Sequence, residues 1–318
     1  MVKLLLLAAA FTTEGTQQDW IDQLGAADRL LSENRHHDAE VAYITARKQA
    51  ETFGLNELPM AITLNHMGHQ YQILSRLREA ERAHASALAI LEGRLGTASP
   101  NAVKVALDLS TVYLELGEVS KTESLIRRFL RQENALSPTD KAILLAELAS
   151  AMACQQKFKD SEALYRAALP VFEGEATPEF RERTVIGHSN LSTIYMRMGR
   201  FSEGRTYSDR ARALLRTMTN PPTLLVLKTM ANAAAVSALT GKPEEADSLF
   251  RFVISHGESN FGPDYYLIGY VMDSYAEFLR RAGRGKDART AQKRADAILH
   301  SFGKENLIGL TVDARAFR

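Results

Sequence analysis

The sequence predicts an all-α protein, a solenoid of about seven helix hairpins stacked in a row. Three observations support this prediction: small residues recur in columns about 42 residues apart, apolar residues have helical spacing within each repeat, and the breaks between repeats carry helix-start signals. The composition agrees. The chain has nine prolines and 8% aromatic residues with abundant Ala, Leu, Arg and Glu, which favours helix over sheet.

Small residues hold one register through all the repeats. The first column is Ala39, Ala80, Thr122, Ser161, Gly204, Ala246 and Ala288. The second lies twelve residues earlier, at Ala27, Gly68, Ser110, Ala149, Ser192, Ala234 and Ala276. The third lies seven residues after the first, at Ala46, Ala87, Phe129, Ala168, Ala211, Val253 and Ala295. We expect these columns where the two helices of a hairpin cross, because small side chains let helix axes approach closely.

Each repeat is predicted to be two amphipathic helices joined by a short turn. The first helix carries apolar residues at helical spacing, as Leu64, Met67 and Tyr71 do in the second repeat. In four repeats the turn contains a glycine, which readily adopts the left-handed backbone that ends a helix. These are Gly117, Gly199, Gly241 and Gly283. A single hairpin cannot cover its apolar stripe, so we expect its neighbours to do so.

The linkers between repeats predict new helices with proline in the first turn. They are Ser99-Pro100-Asn101, Ser137-Pro138-Thr139-Asp140, Thr177-Pro178-Glu179, Asn220-Pro221-Pro222 and Phe261-Gly262-Pro263-Asp264. Every break falls between repeats, so the sequence predicts one solenoid domain over residues 17–303. Its units lie near 17–56, 57–97, 98–136, 137–175, 176–219, 220–262 and 263–303, and the periodicity is lost in the C-terminal tail, 304–318.

The first sixteen residues have the pattern of a secretory signal peptide. Lys3 gives one positive charge, an unbroken apolar run extends from Leu4 to Phe11, and small residues follow. The run is too short to span a bilayer. We therefore expect residues 1–16 to be a signal peptide and the protein to be exported, periplasmic or secreted. The alternative is an apolar start that packs on the first hairpin of a cytoplasmic protein.

Charge and motifs exclude several functional classes. The chain has 39 Lys+Arg and 38 Asp+Glu, without the basic excess expected of a protein that binds nucleic acid. It contains no glycine-rich phosphate loop, GxSxG elbow or HExxH motif, so we expect no enzyme activity. The single cysteine, Cys154, rules out an intrachain disulfide framework, and we interpret it as a small buried residue in a helix.

The columns resemble those of the tetratricopeptide repeat (TPR). The period near 42 is similar to the longer hairpins of kinesin light chains and many bacterial multi-repeat proteins. Residues 95–100 (LGTASP) and 261–264 (FGPD) resemble the loop between units in that variety. The resemblance covers about nine tenths of the chain. It implies a right-handed superhelical solenoid, a bacterial source, and a non-catalytic scaffold that binds a peptide or protein on the concave face, lined by the first helix of each hairpin.

In this variety, asparagines on the lining often hydrogen-bond the backbone of an extended ligand. Asn190 and Asn232 occupy the matching place, two residues before the small residues of the second column. Asn65 lies one step earlier, three residues before Gly68. The corresponding places in other repeats hold His66, Asp108, Glu147 and Ser274, so the asparagine series is interrupted.

Projection of each first helix predicts which residues line the concave face. The candidate partner-binding residues are Asn65, His66, His69, Asp108, Thr111, Glu147, Asn190, Thr193, Arg197, Asn232, Asp273 and Glu277. The set is polar, with charges of both signs. The alternative interpretation is an ordinary solvated helix face. His66 and His69 could both face a metal ion, but two ligands are too few for a closed zinc site, so we expect no metal and no cofactor.

The last repeat carries a cluster of basic residues: Arg280, Arg281, Arg284, Lys286, Arg289, Lys293 and Arg294. A terminal repeat needs a polar outer face for solubility, which accounts for most of this cluster. Contact with an anionic partner or a membrane surface is the alternative. The sequence thus predicts a non-catalytic interaction scaffold. Two other functions stay open, a cytoplasmic peptide-sensing regulatory protein and a structural assembly subunit that uses the convex face.

Overall fold

The computed structural model describes residues 14–132 and 134–302, and these residues form fourteen α-helices and no strand. The helices of the first half are α1 Glu14–Ser32, α2 His36–Phe53, α3 Leu58–Ile73, α4 Leu77–Leu95, α5 Pro100–Glu115, α6 Val119–Leu130 and α7 Pro138–Cys154. Those of the second half are α8 Phe158–Gly174, α9 Pro178–Arg197, α10 Phe201–Arg216, α11 Thr223–Leu239, α12 Pro243–Phe261, α13 Tyr266–Arg281 and α14 Gly285–Phe302.

Consecutive helices form seven helix–turn–helix units with turns of three residues. The pairs α1–α2, α3–α4, α7–α8, α9–α10, α11–α12 and α13–α14 pack along their lengths. The predicted all-α fold of repeated hairpins is therefore confirmed. The chain divides into two compact units, a first unit up to Val112 and a second unit from Tyr113. A single continuous solenoid domain over residues 17–303 stays a prediction.

Two predicted segments lie outside the described residues in whole or in large part. Of the expected signal peptide, residues 1–16, the first thirteen are not described, and α1 begins at Glu14. The whole C-terminal tail, 304–318, also lies outside. Within the described part of the chain, no helix is both long and apolar enough to cross a membrane.

Every member of the three small-residue columns is buried. Two of the hairpins show how closely their helices approach at these positions. Ser161 Oγ on α8 donates a hydrogen bond to the carbonyl of Ala149 on α7 over 2.6 Å, and Ser192 Oγ on α9 donates to the carbonyl of Gly204 on α10 over 2.7 Å. A hydroxyl that bonds the backbone of the opposite helix needs short side chains on both helices, which explains the columns.

The turn glycines adopt the predicted left-handed backbone, with φ of 76° at Gly117 and 74° at Gly199, Gly241 and Gly283. The other three hairpins turn in the same way without glycine. Asn34, Ser75 and Gln156 have φ of 60°, 57° and 61°. A side chain in this conformation costs about 1–2 kcal/mol, so packing of the hairpin must offset the strain in these three turns.

The helix-start signals are correct in three linkers and wrong in two. Pro100, Pro138 and Pro178 open α5, α7 and α9 as predicted, and Ser137 Oγ accepts the Asp140 amide over 3.0 Å as a helix cap. After Asn220, however, α11 begins at Thr223, beyond both prolines. A proline disfavours helical backbone in the residue before it, so Pro222 keeps Pro221 out of the helix. Pro263 also lies outside, because α13 begins only at Tyr266.

Arginine clamps join successive hairpins within each unit. An arginine at the start of a second helix binds an acidic residue one turn further on and another acidic residue of the preceding hairpin. The clamps are Arg76 with Glu79 and Glu40, Arg200 with Glu203 and Glu162, and Arg284 with Asp287 and Asp247. The contacts to the preceding hairpin are 2.6, 2.9 and 2.6 Å long. A single surface ion pair contributes little, but these arginines each hold two carboxylates at once.

The turn conformation yields a prediction for stability. Gly199→Ala places a methyl group in open space but in left-handed backbone, and should lower the free energy of unfolding by about 1 kcal/mol. Gln156→Gly should raise it by about 1 kcal/mol, because it relieves the same strain. The matched control is Gly93→Ala, which lies inside α4 with nothing near its new methyl group and should be neutral or stabilising. Urea denaturation followed by circular dichroism measures all three, and equal effects of Gly199→Ala and Gly93→Ala would contradict the strain argument.

Candidate functional site

The first helices of the hairpins pack on one another within each unit. In the second unit α7 contacts α9, α9 contacts α11, and α11 contacts α13, and in the first unit α1 contacts α3. Side chains on the exposed faces of neighbouring first helices therefore lie next to one another. The sequence-predicted candidates fall on these helices, with five in the first unit and seven in the second.

In the first unit, Asp28 joins three helices through hydrogen bonds. The hydroxyl of Tyr43 on α2 donates to Asp28 Oδ1 over 2.6 Å, and His66 Nδ1 on α3 lies 2.8 Å from the same oxygen. Burial raises the pKa of the Asp28 carboxyl, but the bonds from His66 and Tyr43 outweigh burial and hold the pKa below its usual range. His66 is therefore occupied by a carboxylate of its own unit.

A second group of polar side chains surrounds Asn65, which is buried. Asn65 Nδ2 lies 3.3 Å from Asp108 Oδ2 on α5 and 3.3 Å from His69 Nε2, and Asn65 Oδ1 lies 2.7 Å from His84 Nδ1 on α4. His69 Nε2 also lies 3.2 Å from Asp108 Oδ2. All the hydrogen-bonding atoms of the Asn65 side chain thus have partners inside the unit, so a ligand could use this amide only by displacing them.

This arrangement lowers the pKa values of both Asp108 and His84. Burial raises the pKa of the Asp108 carboxyl, but His69, His84 and Asn65 together hold it below its usual range. His84 is fully buried, and burial lowers the pKa of its imidazole to about 4, with repulsion from His69 adding to the effect.

Thr111, the last candidate of this unit, is exposed, and its hydroxyl donates to the carbonyl of Leu107 in its own helix over 3.1 Å.

In the second unit, Asn190 is held by its amide nitrogen alone. Asn190 Nδ2 donates to the hydroxyl of Tyr165 over 2.6 Å, and Tyr165 shares a 2.7 Å bond with Ser150 Oγ. Tyr165 is buried, which raises the pKa of its phenol to about 12 and keeps it protonated. Asn190 Oδ1 is buried and has no hydrogen-bond partner among the described residues.

Asn232 repeats this arrangement on the next first helix. Asn232 Nδ2 on α11 donates to Ser189 Oγ on α9 over 2.7 Å, and its Oδ1 is buried without a partner in the described part of the chain. A buried carbonyl oxygen without a hydrogen bond costs about 1–3 kcal/mol. Two asparagines on adjacent helices therefore each fix the amide nitrogen in the scaffold and leave the oxygen unsatisfied.

The other candidates of the second unit differ in their burial and in the contacts of their side chains. Cys154 is exposed at the end of α7 rather than buried as predicted. Partial desolvation of its thiol, together with the charge of the half-buried Glu147, raises the pKa of Cys154 to about 11. Thr193 is half-buried and donates to the carbonyl of Ser189 over 3.3 Å. The guanidinium of Arg197 lies 5.5 Å from the centre of the Phe158 ring, which is a cation–π distance.

Asp273 and Glu277, on α13, are engaged within the last hairpin. Asp273 Oδ1 accepts from Gln292 Nε2 over 2.7 Å, and Glu277 pairs with both Arg280 and Arg281. In the basic cluster of this hairpin, Arg284 binds Asp247 and Asp287, and Arg294 binds Glu258. Most of these arginines therefore carry ion pairs of the scaffold.

Lys228 belongs to this face, although the sequence-based projection missed it. It lies on α11 one helical turn before Asn232, so both side chains leave the helix on the same side. The side chain is half-buried and has no hydrogen bond or ion pair to the described residues. Burial lowers its pKa, and the opposing charge of Glu115 offsets this only in part. Extending the i, i+4 spacing one turn towards the start of the helix would have found it.

No group of three or more His, Cys, Asp or Glu side chains converges as a metal site within the described residues. His66 and His69 face different carboxylates, Asp28 and Asp108, rather than a shared point. The raised pKa of Cys154 means that its thiol is protonated at neutral pH, which is the unreactive form. Among the described residues, the second unit contains two unsatisfied amide oxygens, on Asn190 and Asn232, and the ammonium group of Lys228.

No protein-family profile matches the sequence, and no curated protein is detectably related to it. Solved structures do resemble it. The apo form of RapI has a TM-score of 0.71 and 10% identity over 89% of this chain and 98% of its own. A tetratricopeptide repeat protein from Parabacteroides merdae has a TM-score of 0.60 and 16% identity, covering 93% of this chain and all of its own. A Rap protein complexed with competence and sporulation factor has a TM-score of 0.64 and 13% identity, covering 93% and 78%.

These similarities define the class of fold. The chain has the fold of tetratricopeptide repeat proteins, as its small-residue columns predicted. At identities of this level the likeness establishes the fold and leaves the ligand to be argued from the site.

The polar group of the first unit yields a prediction. A methyl group at Gly68 would lie 2.5–2.7 Å from three atoms of the buried His84 ring, so Gly68→Ala should lower the free energy of unfolding by about 2 kcal/mol. In a His84→Ala background the ring is gone, and Gly68→Ala should cost less than about 1 kcal/mol. Gly25→Ala on α1, whose methyl group would meet only Arg29 Nη1 at 3.9 Å, is the control. Additive effects of the two changes in a double-mutant cycle would contradict direct contact between Gly68 and His84.

Proposed function

We propose that the protein is a non-catalytic interaction scaffold whose second unit binds an extended peptide segment of a partner on the faces of α7, α9, α11 and α13. The observation that supports this most directly is the pair of unsatisfied oxygens, Asn190 Oδ1 and Asn232 Oδ1. Each amide nitrogen is bonded to the scaffold, so each buried oxygen would gain a hydrogen bond from the backbone N–H group of a ligand that displaces the side chains covering it.

The spacing of the neighbouring helices α9 and α11, which carry the two asparagines, suits an extended chain. Packed helices lie about 8–10 Å apart, and a polyproline-type segment advances about 3.1 Å per residue with three residues per turn. Amides three residues apart in such a segment therefore point the same way at about 9 Å. One N–H group would meet Asn190 and the other Asn232, and the segment would run across the first helices.

Lys228 adds a charge preference to the same face. A half-buried ammonium group without an acceptor is stabilised when a ligand supplies one, and a carboxylate supplies the strongest hydrogen bond. The proposed ligand therefore bears an acidic side chain or a terminal carboxylate next to the residues bound by the asparagines. One protein of similar fold, a Rap protein, was crystallised with competence and sporulation factor, which supports a ligand-binding role for this fold.

The asparagine pair is tested with a displayed library of random linear 12-residue peptides selected on the full-length protein. Peptides enriched on the wild type should bind the double variant Asn190→Ala, Asn232→Ala at least about tenfold more weakly, since two hydrogen bonds of about 1 kcal/mol each are lost. Asn260→Ala is the control, because Asn260 is exposed on α12 and bonds only the His256 carbonyl of its own helix. Circular dichroism confirms equal helicity. Failure to enrich any peptide, or equal affinity for all three proteins, would overturn the proposal.

The charge preference is tested with the same peptides. Lys228→Met keeps the length of the side chain and removes the charge, and should weaken acidic peptides about tenfold or more, because hydrogen bonds to charged groups contribute about 1.5–3 kcal/mol. Amidating the C-terminus and replacing each Asp or Glu in turn identifies the group that contacts Lys228. Peptides that bind Lys228→Met as tightly as the wild type would remove the charge preference and leave the asparagine contacts standing.

A further inference from the structure

The ring of His84 on α4 occupies the space beside Gly68 of α3. It lies so closely against the glycine that no side chain fits at position 68. In each repeat the residue four positions after the first small column occupies this place. The series is Tyr43, His84, Ile126, Tyr165, Ser208, Phe250 and Gln292. Within it, His84 is the residue that can gain a proton and a positive charge as the pH falls.

The hydrogen-bond contacts of His84 include no carboxylate. Nδ1 lies 2.7 Å from Asn65 Oδ1 and donates to it, while Nε2 lies 3.2 Å from Gln72 Oε1. In the neutral ring Nε2 accepts, so the Gln72 amide must turn to present its NH2 group, whereas the protonated ring donates to Oε1. The ring is fully buried. A charge placed there would be desolvated and without an ion-pair partner.

The titratable groups that face His84 do not compensate a charge at the ring. The ring of His69 on α3 lies 5.1 Å away edge to face, and repels a proton on His84 when it is itself protonated. Asp108 on α5 attracts such a proton only from beyond Asn65. Further along α3, Asp28 of α1 and Tyr43 of α2 are engaged with each other and with His66.

We propose that the second hairpin is an acid-sensitive joint, in which protonation of His84 separates α4 from α3 at Gly68 and frees the side-chain carbonyl of Asn65. The charged ring leaves the interface to reach water, and Asn65 Oδ1 loses its donor, while Asp108 keeps its contact with His69. Acid thereby uncovers a hydrogen-bond acceptor on α3 that is occupied at neutral pH.

The pH dependence of hairpin opening follows from the difference between the pKa of His84 in the folded chain and in the opened chain. His84 has a pKa of about 4 in the folded chain, below the ordinary value of 6.5, so the unfolded or opened chain binds more protons. The stability of the closed hairpin is full above pH 6.5 and is lost as the pH falls towards 4. At pH 5 the opening equilibrium constant should be about 30-fold larger than at pH 8.

Hydrogen exchange of the full-length protein, read by mass spectrometry and corrected for intrinsic rates, tests the joint. Protection of α3 and α4 should fall about 30-fold between pH 8 and pH 5 in the wild type and less than about threefold in His84→Gln, whose amide can donate to Asn65 without titrating. His37→Gln is the matched control, because His37 is an exposed histidine of the first unit. Equal loss of protection in the wild type and His84→Gln would overturn the proposal.

A second measurement needs no variant. Nuclear magnetic resonance of the imidazole Cε1–H groups reports the protonation of each histidine in the wild-type protein. His84 should titrate near pH 4, with broadening of α3 and α4 resonances over the same range. A midpoint near 6.5 without any change in α3 and α4 would show that the ring takes up its proton inside a closed hairpin, and would also overturn the proposal.

Discussion

The close crossing of two helices in each hairpin is the constraint on which the rest of the structure depends. It requires small residues on both helices, and the serine hydroxyls that bond the opposite backbone at Ser161 and Ser192 show how near the helices lie. Once the crossing is fixed, the rotation of each first helix about its axis is fixed too. That rotation decides which side chains enter the core and which form the polar face that a ligand can reach.

Most of the fold can be predicted from the sequence because the crossing constrains residue size, and size is visible in a single chain. The turns are less predictable. Glycine marks four of them, but Asn34, Ser75 and Gln156 adopt the same backbone, since packing of the hairpin outweighs a strain of about 1–2 kcal/mol. Proline signals also failed where two prolines adjoin, because Pro222 restricts Pro221 and delays the start of α11.

The sequence predicts which helices carry the candidate residues but not how their side chains are hydrogen-bonded. Helical spacing places Asn65, Asn190 and Asn232 on first helices, yet their hydrogen bonds depend on residues up to 43 positions away. Asn65 is satisfied through Asp108 and His84, whereas Asn190 and Asn232 keep an oxygen unsatisfied. No periodic pattern distinguishes these cases, because the partners come from neighbouring hairpins whose side chains vary from repeat to repeat.

The arginine clamps also bear on the order in which the hairpins can assemble during synthesis. Each clamp joins an arginine to a carboxylate made 36 to 38 residues earlier, Arg76 to Glu40, Arg200 to Glu162 and Arg284 to Asp247. A chain that grows from its N-terminus therefore presents the anionic half of each contact before the cationic half leaves the ribosome. Each of these three second helices, α4, α10 and α14, therefore finds an acidic partner already present on the hairpin before it when it leaves the ribosome.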